Sequence, residues 1–343
     1  MKRLSILLFA IAFTLLHDVK AGNEDRIGSA GGTQLLINPW AQSTGLAGSN
    51  IATARGIQGY FVNPAGIVFT RKTEVMFTNT NWLSGADVSI NAFGLSQKLG
   101  ESSAIGISVV SIDWGDLMRS TTALPEGDGT TFSPSFSNIG LSFSKEFSNS
   151  IYGGVTVKII SEAIADINAS GIALDAGINY VSGERDQIKF GISLKNVGPG
   201  MTYDGSGLST SELSGGELNL DQRSATFELP SLVNIGVGYD FVLAENHDLT
   251  GLLSFTSNSF SRDQYKVGLE YKFKDYFALR GGYSLEPQSE SLDINTNALD
   301  GPAFGASLGA PIGENGGSLS FDYSYQVTNP FDGVHSIGVR VAL

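Results

Sequence analysis

The chain has 343 residues, 43 of them glycine, no cysteine, 16% charged residues and a formal charge of −13. The acidic balance argues against nucleic acid and does not favour anionic lipid surfaces. The lack of cysteine excludes disulfides and thiolate metal sites.

The N-terminus opens with Lys2-Arg3, an apolar run from Leu4 to Leu16, then Val19-Lys20-Ala21. A basic head, a short apolar core and small or aliphatic residues before the cut describe a secretory leader, residues 1–21, cleaved after Ala21. The run is shorter than the roughly 20 apolar residues that a membrane-spanning helix needs. Cleavage removes Lys2, Arg3, Lys20 and Asp18, leaving 18 basic against 33 acidic residues, a balance of −15.

Residues 22–70 are rich in Gly and Ala, poor in charge and without strand alternation. Irregular backbone of this kind cannot face lipid, where its amides would go unpaired. Leu35, Leu36, Ile37, Trp40 and Phe61 argue against a disordered leader. The segment is expected to be a short hatch in the periplasmic half of a barrel lumen. In Asn63-Pro64-Ala65-Gly66, Asn-Pro starts a turn, Pro64 fixes φ and Gly66 allows close approach to a wall.

From residue 71 to 343 the chain alternates with period two, the spacing of a two-faced strand. Strands are predicted near 73–82, 87–98, 103–113, 136–147, 151–162, 171–181, 187–197, 232–242, 248–257, 264–273, 276–285, 303–310, 318–327 and 335–343. Alternation is weak in the first two and in 248–257. Three are clear. Tyr265, Val267, Leu269, Tyr271 and Phe273 oppose Lys266, Gly268, Glu270 and Lys272. Ile188, Phe190, Ile192 and Leu194 oppose Lys189, Gly191, Ser193 and Lys195, and Val233 to Phe241 oppose Asn234, Gly236, Gly238 and Asp240. A charge facing lipid near the bilayer centre costs about 2–4 kcal/mol, so the apolar sets must face outward and the charged sets the lumen.

The last residues, Ile337, Val339, Val341 and Leu343 against Ser336, Gly338, Arg340 and Ala342, form another such ribbon. An edge strand there is a liability in a soluble domain but closes a barrel in a membrane one. The expected fold is therefore all-β: a transmembrane antiparallel barrel of about fourteen strands in the outer-membrane bilayer, with a hatch. Connections 114–135, 198–231 and 286–302 are the longest, and each follows an odd strand, where extracellular loops belong. Only 311–317 is long for a periplasmic turn. Paired aromatics such as Tyr239 with Phe241 and Tyr323 with Tyr325 suit interfacial girdles.

No catalytic set emerges, and no cofactor or metal site is expected. His335 and Ser336 are adjacent, so on a strand they project to opposite faces and cannot form a nucleophile–base pair. Glu126-Gly127-Asp128-Gly129 lacks EF-hand spacing and reads as a solvated turn. Inward Lys189, Lys195, Lys266, Glu270, Lys272 and Arg280 either line a polar pore or form internal ion pairs that pin the hatch, and ion pairs are the expectation because buried charges need partners.

The run Gly31-Gly32-Thr33-Gln34-Leu35-Leu36-Ile37, then Gly45-Leu46-Ala47-Gly48, then Asn63-Pro64-Ala65-Gly66 resembles the N-terminal signature of the PorV/PorQ family of outer-membrane barrels. These are fourteen-stranded and distantly similar to FadL transporters. The resemblance implies a component or accessory of type IX secretion that binds translocon or attachment subunits, or cargo sorting domains, through its extracellular loops. Trp114, Met118, Phe132, Met201 and Tyr203 are the candidate contact residues, as apolar anchors in polar loops. Two other readings are a FadL-like transporter of a hydrophobic small molecule, which a lipid or detergent in the lumen would mark, and a water-filled porin, which needs an open lumen.

Overall fold

The computed structural model describes residues 22–83, 88–121, 123–213, 217–274, 276–287, 297–313, 316–328 and 331–343. The expected leader, residues 1–21, lies outside them. Fourteen strands form a closed antiparallel barrel. They are β1 (Thr73–Leu83), β2 (Val88–Leu99), β3 (Ser103–Asp113), β4 (Ser135–Ser148), β5 (Ile151–Ile164), β6 (Ile167–Ser182) and β7 (Ile188–Val197). The second half comprises β8 (Leu232–Ala244), β9 (His247–Asn258), β10 (Gln264–Phe273), β11 (Phe277–Leu285), β12 (Gly301–Ile312), β13 (Gly317–Gln326) and β14 (Val334–Ala342). Each strand pairs with its sequence neighbour, and β14 closes on β1 in register from Glu74↔Ala342 to Asn81↔His335. Every ladder is satisfied, and no edge remains.

Burial follows the two-fold alternation. On β7, Phe190, Ile192 and Leu194 face out while Lys189, Ser193 and Lys195 are buried inside. On β14, Ile337 is exposed and Ser336 is buried against Thr80 (2.8 Å). His335 points to the opposite, outer face, beside the Tyr323 hydroxyl (2.9 Å). Tyr180, Phe190, Tyr239, Phe241 and Phe273 gather near the even-to-odd turns on that outer face. Their amphipathic rings suit the lipid–water interface.

Turns after even strands are short, as periplasmic turns are, and the long connections follow odd strands. The 311–317 connection is shorter than expected. Pro311 pairs with Ser318 and Ile312 with Gly317, so the strands extend into it from both sides. Proline is tolerated there because it withholds a donor only beside the turn. The β3–β4 loop carries a small hairpin, Leu117–Met118 with Thr131–Phe132, and the β7–β8 loop carries another, Ser209–Leu213 with Glu217–Asp221.

The two inner walls differ. On β1–β6 the lumen side carries Met76, Val88, Ile90, Ala92, Val110, Ile112, Phe136 and Ile160 in one buried apolar cluster with the hatch. On β7–β14 it is polar, including Lys195, Asn234, Thr256, Arg280, Asp322 and Ser336. β2 alternates weakly because its inner face is apolar at Val88, Ile90 and Ala92, while its outer face mixes Phe93 and Leu95 with Ser89, Asn91 and Gln97. β1 and β2 also carry Asn79 and Asn91 on the outer face, hydrogen-bonded to each other at 2.9 Å.

Candidate functional site

The lumen is occupied by residues 22–70, held by short helical turns: 33–36, 41–44, 56–58, 59–62 and 64–69. Glycines projecting inward from most strands give them room. A Cβ added at Gly94 would lie 2.4 Å from Ile57, at Gly154 2.4 Å from the Pro64 backbone, and at Gly191 2.6 Å from the Ile51 carbonyl oxygen. At Gly268 it would lie 2.2 Å from Ser49, and at Gly282 2.3 Å from the Leu46 carbonyl carbon. Gly45 meets Gly305 Cα to Cα, with room for no side chain on either. Gly154, Gly191 and Gly282 seat hatch backbone, which cannot rotate aside for a β-carbon, while Gly94 and Gly268 make room for the side chains of Ile57 and Ser49.

The Asn63-Pro64-Ala65-Gly66 run turns where residues 51–54 of the hatch and the β6 wall meet. Asn63 is fully buried. Its Oδ1 accepts from the Ala65 N–H (3.1 Å), and Nδ2 donates to the Ile51 carbonyl (3.2 Å) and to Asn179 Oδ1 on β6 (2.8 Å). Pro64 opens the following 3-10 turn, and Gly66 passes so close to the Ala54 carbonyl that a Cβ would sit 2.2 Å away. In the Gly45-Leu46-Ala47-Gly48 run, Ala47 and Gly48 both have positive φ, 51° and 72°. Asn63→Ala should cost about 2–3 kcal/mol, since it strips partners from several buried groups at once. Chemical denaturation of the refolded barrel measures this; an unchanged midpoint would assign the turn no structural role.

The hatch reaches further than a plug in the periplasmic half. Its first residues lie at the extracellular end. Arg26 pairs with Glu228 of the β7–β8 loop (2.7 Å) and stacks over Phe260 of the β9–β10 loop (4.1 Å). Ala30 makes a single parallel bridge to Glu228.

The lumenal charges are largely matched, within and between strands. Glu270 accepts from Arg280 (2.6 Å) and Lys272 (2.7 Å), and Lys189 pairs with Asp240. Lys158 and Asp175 make a fully buried pair at 2.5 Å. The sequence expectation does not include this last pair, although Val157 and Ile159 outside place Lys158 inside, and Leu174 outside does the same for Asp175. Lys195 and Lys266 depart from the expectation of ion pairing. Among the described residues neither has a carboxylate in contact, and Lys195 Nζ instead rests 3.6 Å from the centre of the Phe61 ring.

The candidate loop contacts divide. Met201 is buried, packed on Gly171 and bridged to Phe227, so it is no surface anchor. Trp114 and Tyr203 pack against the same apolar cluster as the hatch. The Tyr203 hydroxyl donates to Glu162 Oε2 (2.5 Å), and burial, then that carboxylate, push its pKa up. Apolar side chains read as exposed anchors instead close the loop over its own core, which frees them from water. Phe132 is half-buried, and Met118 stays 59% exposed beside exposed Leu117 and Leu124. Asp128, in the Glu126–Gly129 turn, accepts from the Thr130 hydroxyl (2.6 Å) and N–H (2.8 Å), which hold its carboxyl below the usual range.

A closed fourteen-strand barrel with apolar outer and polar inner faces, plugged by its own N-terminal segment, defines a hatch-bearing outer-membrane protein. The chain belongs to the type IX secretion system membrane protein PorP/SprF family, whose profile matches residues 58–341. The secretion class that the PorV/PorQ resemblance implied is thus met by a different family, and the resembling segment lies mostly ahead of the matched region. No curated relative matches at a significant level. Among solved structures, the CymD monoaromatic hydrocarbon channel is similar, with a TM-score of 0.57, 11% identity, and 89% of this chain and 97% of that one covered. The Pseudomonas putida toluene transporter TodX gives 0.56, 12%, 89% and 97%. The Ralstonia pickettii toluene transporter TbuX gives 0.55, 11%, 89% and 98%. At these identities the likeness is one of fold.

Proposed function

We propose that this barrel serves type IX secretion as a docking component rather than a conduit, binding translocon or attachment subunits, or cargo sorting domains, at its extracellular face. The observation that carries the reading is the family membership together with a lumen filled by the chain's own hatch. With Gly45, Leu46, Ile51, Ile57 and Pro64 seated on wall glycines, a folded cargo has no path through the barrel. The same filling counts against the water-filled porin. The working surface is then outside, where Leu117, Met118 and Leu124 present apolar area on an acidic loop. Apolar anchors within a polar rim are the usual energetic centre of a contact.

Affinity purification from the native outer membrane should recover secretion-system subunits. A Met118→Glu, Leu124→Glu variant should lower that recovery about tenfold, the factor expected for losing an anchor worth about 1.4 kcal/mol. Heat-modifiable migration on gels confirms that the variant barrel is folded. Recovery of no secretion subunit by the parent protein would remove the reading.

A second reading, uptake of a hydrophobic small molecule, draws on the fold shared with proteins described as hydrocarbon and toluene transporters. The polar, lysine-bearing wall of β7–β14 counts against an apolar ligand.

A further inference from the structure

Between the hatch and the inner wall of β7–β14 a cavity of about 510 Å³ remains, opening toward the extracellular end. That is within the roughly 300–1,000 Å³ of small-molecule sites. Lys195 and Lys266 both line it, and no aspartate or glutamate does among the described residues. In a chain of 34 acidic and 21 basic residues, a wall with cations only is the reverse of the surface.

The two lysines are also the ones that the ion-pair network leaves out. Lys195 is 4% exposed, and among the described residues its ammonium has only the Phe61 ring as a close partner. The neighbouring carboxylate, Asp175, is already committed to Lys158. Lys266 points across the cavity toward Gly48, where an added Cβ would sit 3.7 Å from its Nζ. A buried ammonium with no carboxylate in contact is costly, and a site where buried Lys195 and half-buried Lys266 face one space is complementary to an anion. Around them the wall is mixed. Ile51, Phe61, Leu232 and Phe260 are apolar, while Gln264 and Ser284 offer polar groups.

We propose that this cavity is a binding site for a small organic anion, a carboxylate or phosphate on a compact apolar body. Lys195 and Lys266 take the anionic group, and Phe61 and Phe260 pack on the body. The inference rests on the cavity alone and stands apart from the docking reading. Trp82 also lines the cavity and provides a reporter.

The test uses the mature full-length barrel in an uncharged maltoside detergent, with 3-phenylpropionate as probe and 3-phenylpropanol as its uncharged counterpart. The acid should change tryptophan fluorescence saturably and raise the thermal midpoint. The alcohol should bind at least about tenfold more weakly, the scale of one charge-assisted hydrogen bond. Lys195→Met and Lys266→Met should each lower the acid's affinity at least about tenfold, and Lys266→Arg should restore it by keeping the charge. Folding of each variant is read from heat-modifiable migration. Equal binding of acid and alcohol, or unchanged binding by both methionine variants, would overturn the proposal. Inorganic phosphate competing as well as the probe binds would reduce it to an adventitious ion and overturn it too.

Discussion

Gly282→Leu should unseat the hatch, while the same change one residue earlier, Gly281→Leu, should leave the barrel as stable as the parent. The two glycines are neighbours on β11 and face opposite sides. A Cβ at Gly282 would lie 2.3 Å from the Leu46 carbonyl carbon, 2.5 Å from its oxygen and 2.7 Å from the Ala47 nitrogen. These are main-chain atoms of a turn that includes two positive-φ residues, and they cannot rotate aside. Overpacking a core costs about 1–3 kcal/mol where side chains can adjust, so here about 3 kcal/mol or more is expected. At Gly281 nothing lies within 4 Å, and the added side chain meets lipid. Guanidinium unfolding of the two variants measures the difference. Limited proteolysis locates it, with new cuts expected between residues 45 and 66 only in Gly282→Leu. Equal midpoints and equal protection would mean that the wall glycines do not seat the hatch.

Legibility in the sequence varied with how cleanly a strand separates its faces. β7, β8 and β10 read correctly because each sets large apolar side chains against charges or glycines, and lipid outside forbids any other orientation. β2 was harder because Val88, Ile90 and Ala92 line an apolar inner wall that exists only when the hatch is in place. The need for a hatch was visible in Gly- and Ala-rich, weakly alternating residues 22–70. Its reach was not, because the Arg26–Glu228 contact joins residues 202 positions apart. Met201 shows the opposite failure. An apolar residue in a polar loop resembles an anchor, and only the fold of that loop back onto Gly171 and Phe227 shows it to be core. Alternation places Gly191, Gly236, Gly238 and Gly268 on the inner face, but which hatch atom each one receives follows only from the three-dimensional path, as do the seats at Gly94, Gly154 and Gly282.

Removing Asp175 alone should be among the most damaging single changes in the barrel, at about 3–5 kcal/mol, the usual penalty for stranding one member of a buried ion pair. The side chains of Lys158 and Asp175 are both fully buried. Asp175 Oδ1 also accepts from the Asn196 N–H at 2.8 Å, and Asn196 Oδ1 in turn accepts from Lys158 at 2.9 Å. Asn196 sits at φ 57° in a β-bulge, which turns both it and Lys195 inward. Asp175→Ala therefore leaves the Lys158 ammonium with the neutral Asn196 Oδ1 but no counter-ion, and the Asn196 N–H without its acceptor, beside a second buried ammonium on Lys195. Lys158→Met in the same chain should recover most of the loss, because a buried ion pair replaced by apolar side chains is often neutral in stability. A double-mutant cycle in denaturant should thus return a coupling of at least about 2 kcal/mol. If the Asp175→Ala midpoint matches the parent, the pair is not desolvated, water reaches this part of the wall, and the hatch seals less of the lumen than its contacts imply.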